Sequence, residues 1–407
     1  MREVAPLGTT APEDPVVAVA PVAAPVTPQE WVHRNLFSSW FNGLVTVVTT
    51  ALLAYLAFRL LRFVFVTGDW SVLKANLRVY MTGRFPVEEL WRVWASLYLV
   101  TALAGVSRGM LPRVRWTRVR AAFTALLALL LVGVLLYLVE SARVWLLLGA
   151  AVALFASGAA VGRRMGRRLR RPLLVAWVLA FPVVILLLRA FGGVKPELWG
   201  GFLLNVIVAV VAIFASFPLG MLLALGRRSA LPIVSAVSVG FIEVVRGAPL
   251  VAWLVFGQFV LPLLLPLDLP NIVRAMFMFT IFSAAYVAEI VRGGLQGVPQ
   301  GQYEAARALG LHPTRMMALV ILPQALRSTI PAMISHFISL FKDTSLLAAI
   351  GIFSDLLRNA RRASAALEFI GLQAEALVPA ALIFWVVAFS MSRWSQRVER
   401  RVGVGVR

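Results

Sequence analysis

The sequence predicts an all-α polytopic membrane protein of about ten transmembrane helices. Three observations carry this. Hydrophobic residues make up 60% of the 407 positions, and charged residues only 14%, against about 25% charged in soluble domains. Mean hydropathy is +0.87. The apolar residues also fall in runs of about 20, the length of helix that crosses a bilayer core. A soluble enzyme of this length needs far more polar surface. Such apolarity excludes a disordered chain, and the absence of cysteine excludes a disulfide scaffold.

Residues 1–35 are rich in Ala, Val and Pro and read as a disordered cytoplasmic tail. No charged region runs into an apolar one there, as a cleaved signal would require. Apolar runs then cover 42–65, 88–107, 121–139, 144–161 and 173–189. A second set covers 200–225, 233–262, 271–293, 328–350 and 376–394. Only Glu140 to Arg143 separate the third and fourth runs, which predicts a tight antiparallel hairpin. Pro182, Pro218 and Pro249 lie inside runs, which membrane helices tolerate when neighbours satisfy the freed carbonyls. Pro249, close after Gly247, makes the seventh run a candidate broken helix.

Net charge is +21, from 39 Lys+Arg against 18 Asp+Glu. In a soluble chain that balance suggests nucleic acid. Here the arginines stand between apolar runs, so they read as topology determinants facing anionic lipid, and no nucleic-acid partner is expected. They crowd the even-numbered connections: Arg108 to Arg120, Arg163 to Arg171, Arg227 and Arg228, and the tail from Arg393. By the positive-inside rule these connections and both termini are cytoplasmic. The odd connections are poorer but not empty. Lys74, Arg78 and Arg84 follow the first run, and Arg358, Arg361 and Arg362 follow the ninth. Residues 36–195 form a greasy membrane extension of about five helices. Residues 196–395 form a core holding nearly every intramembrane charge. A basic cytoplasmic tail over 396–407 closes the chain.

The connection after the eighth run is the most informative. Gln302 to Leu309 is helix-forming, Gly310 stands where a C-terminal cap belongs, and Pro313 can open a second short helix. The predicted helix–turn–helix puts Glu304 and Arg307 on one face. A short rigid helix on a membrane bundle suits docking into a groove of a soluble partner; an interfacial linker that binds nothing is the alternative.

Glu304-Ala305-Ala306, Gly310 and Ile321-Leu322-Pro323 resemble the EAA loop of ABC importer membrane subunits, here residues 299–323. Glu243-Val244-Val245-Arg246-Gly247-Ala248-Pro249-Leu250 resembles the E-x-x-R-G-x-P-L segment of the polar amino-acid uptake branch. The run from Ala285 to Gly294 and Lys342-Asp343-Thr344-Ser345-Leu346 resemble that branch's segments on either side of the loop. These four ordered matches span about 200–395. The extra N-terminal runs resemble the enlarged permease subunits of general L-amino acid importers.

The resemblance implies a type I importer core that carries L-amino acids across the bacterial cytoplasmic membrane by alternating access. It implies that Glu304, Ala305, Ala306, Arg307, Gly310 and Pro323 couple the chain to a separate ATPase dimer, which would hold ATP and Mg. It further implies a periplasmic substrate-binding protein, and either a second permease subunit or a second copy of this chain.

Polar groups inside the runs are candidates for a substrate path or gate, because charge at membrane depth is costly. The echo Glu243/Arg246 and Glu289/Arg292 offers two i, i+3 pairs. The first is expected near mid-bilayer and the second near the cytoplasmic end. Lys342 and Asp343, with Thr344 and Ser345, are expected near mid-depth. Asn205, Gln258 and Tyr286 add hydrogen-bonding groups. Ordinary interhelical bonding is the alternative for each. An ion-coupled secondary transporter, with Glu243 and Asp343 carrying protons, is the rival function, followed by a membrane enzyme or lipid flippase.

No lysine follows a G-x-x-x-x-G, so the chain has no Walker A phosphate loop. With three His and no Cys, no metal constellation stands out. H-E-x-x-H does not occur. The chain is therefore expected to be neither an enzyme nor a holder of its own cofactor.

Overall fold

In lipid, helices satisfy every backbone polar group within the segment. The computed structural model describes residues 27–111, 132–265 and 268–402, and it is a succession of helices joined by short connections. It forms two compact units, one ending at Gly68 and one beginning at Asp69.

In the first unit, α1 (Pro28–Leu36) begins on a reciprocal capping box between Thr27 and Glu30. Residues expected to be a tail are therefore helical from Pro28, because two otherwise orphaned N–H groups find side-chain acceptors. Helix α2 (Trp40–Arg62) is capped by Ser39 and ends in a π turn, Phe63–Thr67. Its side chains are apolar all round, as a lipid-facing span requires.

The second unit runs α3 (Ser71–Thr82), α4 (Leu90–Gly109), α5 (Ala142–Met165), α6 (Arg170–Arg189), α7 (Gly201–Gly226) and α8 (Pro232–Arg246). It continues with α9 (Leu250–Val255, extended by a π turn over Phe256–Val260 and a last turn over Leu261–Leu264), α10 (Asn271–Gln296), α11 (Gln300–Ala308) and α12 (Pro313–Met316). It ends with α13 (Leu322–Asp343), α14 (Leu356–Ser364) and α15 (Gln373–Val402). Among the described residues eight helices are long and apolar enough to cross a membrane, or nine if α8 and α9 count as one bent span. The expected tail over 1–26, the basic connection 112–120, most of the third expected span and residues 403–407 lie outside the described residues. Its last part, 132–138, is helical and leads through 139–141 into α5, the tight connection anticipated.

Two expected spans need correction. The seventh, 233–262, is not straight: α8 and α9 meet at 102°. Pro249 cannot donate to a continuing helix, and Trp253 Nε1 donates to Val245 O at 2.9 Å across the bend. The ninth, 328–350, is part of a longer helical run over Pro313–Ile350, in which α13 follows a π turn over Met317–Ile321.

Glycines set the closest packing. Helices α4 and α5 meet through Gly105, Gly109, Gly158 and Gly162. A Cβ on Gly109 would lie 2.2 Å from Ala159 O, and one on Gly162 2.2 Å from Val106 O. The backbones therefore touch, as in small-xxx-small membrane pairs. Buried Arg92 of α4 donates to Leu187 O at 2.8 Å and Ala190 O at 3.0 Å. It thereby satisfies carbonyls left open at the end of α6. Within the C-terminal half, α7, α10 and α13 surround a core built on Leu204, Val208, Met278, Phe279 and Leu340. Helix α3 falls within the expected extension, yet its packing partners are α7, α14 and α15. Val72 and Tyr80 are buried among Leu356, Ala360, Ala376 and Ala380.

Candidate functional site

The predicted docking helix is α11. Ala306 is buried against Val298, Met316 and Ile321, while Glu304, Ala305 and Arg307 are exposed and Leu309 is 80% exposed. One face is anchored and the other offered. The helix ends in a full Schellman motif: Gly310 N donates to Arg307 O at 2.9 Å and Leu311 N to Ala306 O at 3.2 Å. Gly310 has φ +69°, a conformation glycine adopts without a Cβ penalty. Pro313 opens α12 as anticipated, and Pro323 is exposed at the start of α13.

Helix α11 is tied to three spans. Tyr303 Oη donates to Leu295 O of α10 at 3.2 Å and accepts from Arg228 just beyond α7 at 3.2 Å. Gln324 of α13 donates to Gln302 at 3.1 Å. Arg228 and Tyr303 were not legible as a pair, since 75 residues separate them.

Glu289 organises a charged knot beside these ties. It pairs with Arg292 one helical turn on, as the i, i+3 spacing predicts. Its second oxygen lies 3.7 Å from both Arg227 and Arg246. Arg246 therefore does not pair with Glu243, which is exposed and has no ion-pair partner among the described residues. Both lie on the same helix, and the Arg246 guanidinium reaches across to Glu289 on α10 instead.

From the knot a polar seam enters the core. The Arg246 guanidinium lies 5.3 Å from the Tyr286 ring centre. Tyr286 stacks on His336 at 5.5 Å and 13°. His336 Nε2 is 2.9 Å from Ser283 Oγ, which donates to Ser216 Oγ at 2.9 Å. Sequence reasoning singled out Tyr286 but missed His336, Ser283 and Ser216. The signal was there: a histidine inside a span is a functional candidate by itself, and Ser283 precedes Tyr286 by one helical turn.

The other path candidates separate. Asn205 Nδ2 donates to Thr344 O at 3.1 Å and Thr344 Oγ1 at 3.3 Å, and its Oδ1 accepts from Leu356 N at 3.1 Å. Both residues are fully buried, and their bonding tethers α7 to the start of α14. Gln258, in the π turn, donates to Asn271 O at 3.0 Å, while its Oε1 is buried without a partner. Lys342 and Asp343 close α13, inside a longer helical run over Pro313–Ile350. Lys342 is exposed, and Asp343 and Ser345 are half-buried.

At that end stands Asp355, unremarked in the sequence. One oxygen caps α14 by accepting from Leu357 N at 3.1 Å, and the other is buried without a partner. Burial pushes its carboxyl up to about 6, against the opposing pull of backbone hydrogen bonds and Arg358.

Residues 216–404 match the family model of the binding-protein-dependent transport system inner membrane component. The chain is 36% identical over 399 residues to the inner membrane amino-acid ABC transporter permease protein YhdY of Escherichia coli (strain K12), covering 92% of this chain and 93% of that protein. It is 36% identical over 435 residues to the glutamate/glutamine/aspartate/asparagine transport system permease protein BztC of Rhodobacter capsulatus, covering 94% and 96%. It is also 35% identical over 204 residues to the probable glutamine ABC transporter permease protein GlnP of Bacillus subtilis, covering 50% of this chain but 93% of that one. These relatives do not support the ion-coupled reading. With near full-length similarity, helical spans and the 299–323 loop in place, the chain belongs to the inner-membrane permease subunits of amino-acid ABC transporters, and is not their ATP-hydrolysing component.

Proposed function

We propose that this permease moves L-amino acids inward by alternating access, driven through α11 by a separate ATPase dimer that binds ATP and Mg. The single observation that carries the reading is the two-faced α11. Its buried Ala306 face is locked to the bundle, while its exposed Glu304, Arg307 and Leu309 face has no partner within the described chain. Displacing α11 would pull on α7, α10 and α13 together through Tyr303, Arg228, Gln302 and Gln324. ATP-driven closure of the partner dimer would then shift the population of the bundle between two states.

In this reading Ala305 and Gly310 allow close approach and the turn, and Pro323 starts the span that receives the motion. The seam from Arg246 and Tyr286 to His336 lines the path or its gate, with Glu289 and Arg292 at its cytoplasmic mouth. Both termini are cytoplasmic, in keeping with the arginine-rich even connections. A second permease, or a second copy, completes the pore. Residues 196–395 act as the permease core, in keeping with the half-length relative that matches over half of this chain.

The test is purification of the C-terminally tagged protein from native membranes in mild detergent, with co-purifying proteins identified by mass spectrometry. A Walker-motif ATPase is expected with wild type and lost with Glu304→Arg. Absence of any such ATPase from both samples, even after cross-linking, would sink the reading.

A further inference from the structure

We propose that Arg358, Arg361 and Arg362 of α14, together with Arg84 of the N-terminal half, form one docking surface for an acidic face of the substrate-binding protein. This rests on reading the chain as a binding-protein-dependent permease. Helix α13 has 22 residues, about 33 Å at 1.5 Å per residue. It thus carries the chain from the α11 loop to α14 at the opposite membrane face. These arginines stand on the side where the positive-inside rule disfavours them, so topology does not account for them.

The surface is built and rigid. Asp355 caps α14, and Asn359 Nδ2 donates to Val79 O of α3 at 2.9 Å. Leu356, Asn359, Ala360 and Ala363 are buried, so the opposite face presents Arg361 and Arg362 to solvent. Just before Arg84, Gly83 packs on Gly200, where a Cβ would lie 2.5 Å from Gly200 Cα, and a Cβ on Gly200 would in turn lie 2.8 Å from Ser354 O just before α14. Partial burial, and then the positive charges of Arg358 and Arg84, pull the Arg362 guanidinium below the usual arginine range.

None of the four forms an ion pair among the described residues, and the exposed Glu368 on the next turn neutralises none of them. Arg358 is held by Phe353 O at 3.3 Å. Beside them Leu367 is 91% exposed and Ile370 68%. Arginine beside exposed apolar groups is the composition of a protein interface, and a like-charged patch steers an oppositely charged partner. The outer leaflet is a poorer match, since anionic lipid is concentrated on the cytoplasmic side.

The N-terminal half thereby acquires a role: it supplies one arginine and the strut under α14.

The test uses the complete transporter in nanodiscs with its purified binding protein loaded with an L-amino-acid mixture. The readout is the binding-protein concentration giving half-maximal ATPase stimulation, at low and high salt. Arg361→Glu/Arg362→Glu and Arg84→Glu should each raise that concentration about tenfold or more and flatten its salt dependence. Basal ATPase should be unchanged, and full stimulation should return at saturating binding protein. Arg361→Lys/Arg362→Lys should stay within about threefold of wild type, which separates charge from folding. Wild-type stimulation with unaltered charge-reversal variants would overturn the docking surface alone. Wild type that no binding protein stimulates would overturn the underlying reading. A defect that follows the phosphatidylglycerol content of the disc, and not binding-protein concentration, would overturn docking in favour of lipid.

Discussion

The Tyr80 hydroxyl of α3 donates to the carbonyl of Ala376 in α15, 296 residues away, at 2.9 Å. Tyr80 is fully buried, and burial pushes its phenol up to about 12, so it remains a donor at any working pH. This bond fastens an element of the long N-terminal half to the last span. Removing it by Tyr80→Phe should cost about 1 kcal/mol, and Tyr80→Ala about 3–5 kcal/mol because a cavity is also left. Thermal unfolding of the detergent-purified protein measures both. Equal effects of the two substitutions would refute the ranking.

Gly310→Ala should keep the chain in the membrane yet weaken its coupling. A left-handed residue with a Cβ costs about 1–2 kcal/mol, enough to favour a different turn between α11 and α12. Co-purified ATPase should drop several-fold, and Leu309→Asp should lower it further. Membrane levels that fall in parallel with the ATPase would argue for misfolding instead.

The α4–α5 pair offers an internal control. Gly109→Leu and Gly162→Leu force apart backbones that now touch, costing roughly 1–3 kcal/mol or more. Gly149→Leu, on α5 with nothing within 4 Å of its Cβ position, should be near neutral. The melting temperatures of the three variants decide it.

Asp355 predicts a pH dependence of stability. Its folded pKa, about 6 against an ordinary 3.8, means that the folded state binds the proton more tightly. Stability should therefore fall as pH rises from about 4 to about 6 and level off above, by at most on the order of 3 kcal/mol. Asp355→Asn retains an N-cap and should flatten that slope. A melting temperature measured across pH 4–7 in both proteins checks the sign.

Arg246→Gln should separate stability from transport. Glu289 keeps Arg292 and Arg227, and Arg246 is 39% exposed, so the loss of stability should stay under about 1 kcal/mol. Amino-acid uptake should fall about tenfold if the seam is the path. Unchanged uptake would remove Arg246 and Tyr286 from it.

The sequence by itself determined the features that depend on near neighbours. Apolar runs marked the spans, because a helix in lipid needs only its own length of apolar side chains. The α11 turn was legible, because a Schellman cap is made by a few consecutive residues around Gly310. Glu289 and Arg292 paired as predicted, one turn apart on a continuous helix. The tertiary structure decided everything that depended on distant neighbours. Arg246 reached across to Glu289 on α10 rather than to Glu243 on its own helix. Asn205 and Thr344, both candidates for a path, bond to each other across 139 residues. Helix α3 joined the C-terminal bundle because Tyr80 and Asn359 found carbonyls that no spacing rule connects. A buried polar group bonds to whatever the fold brings within about 3 Å, and only the packed chain specifies that.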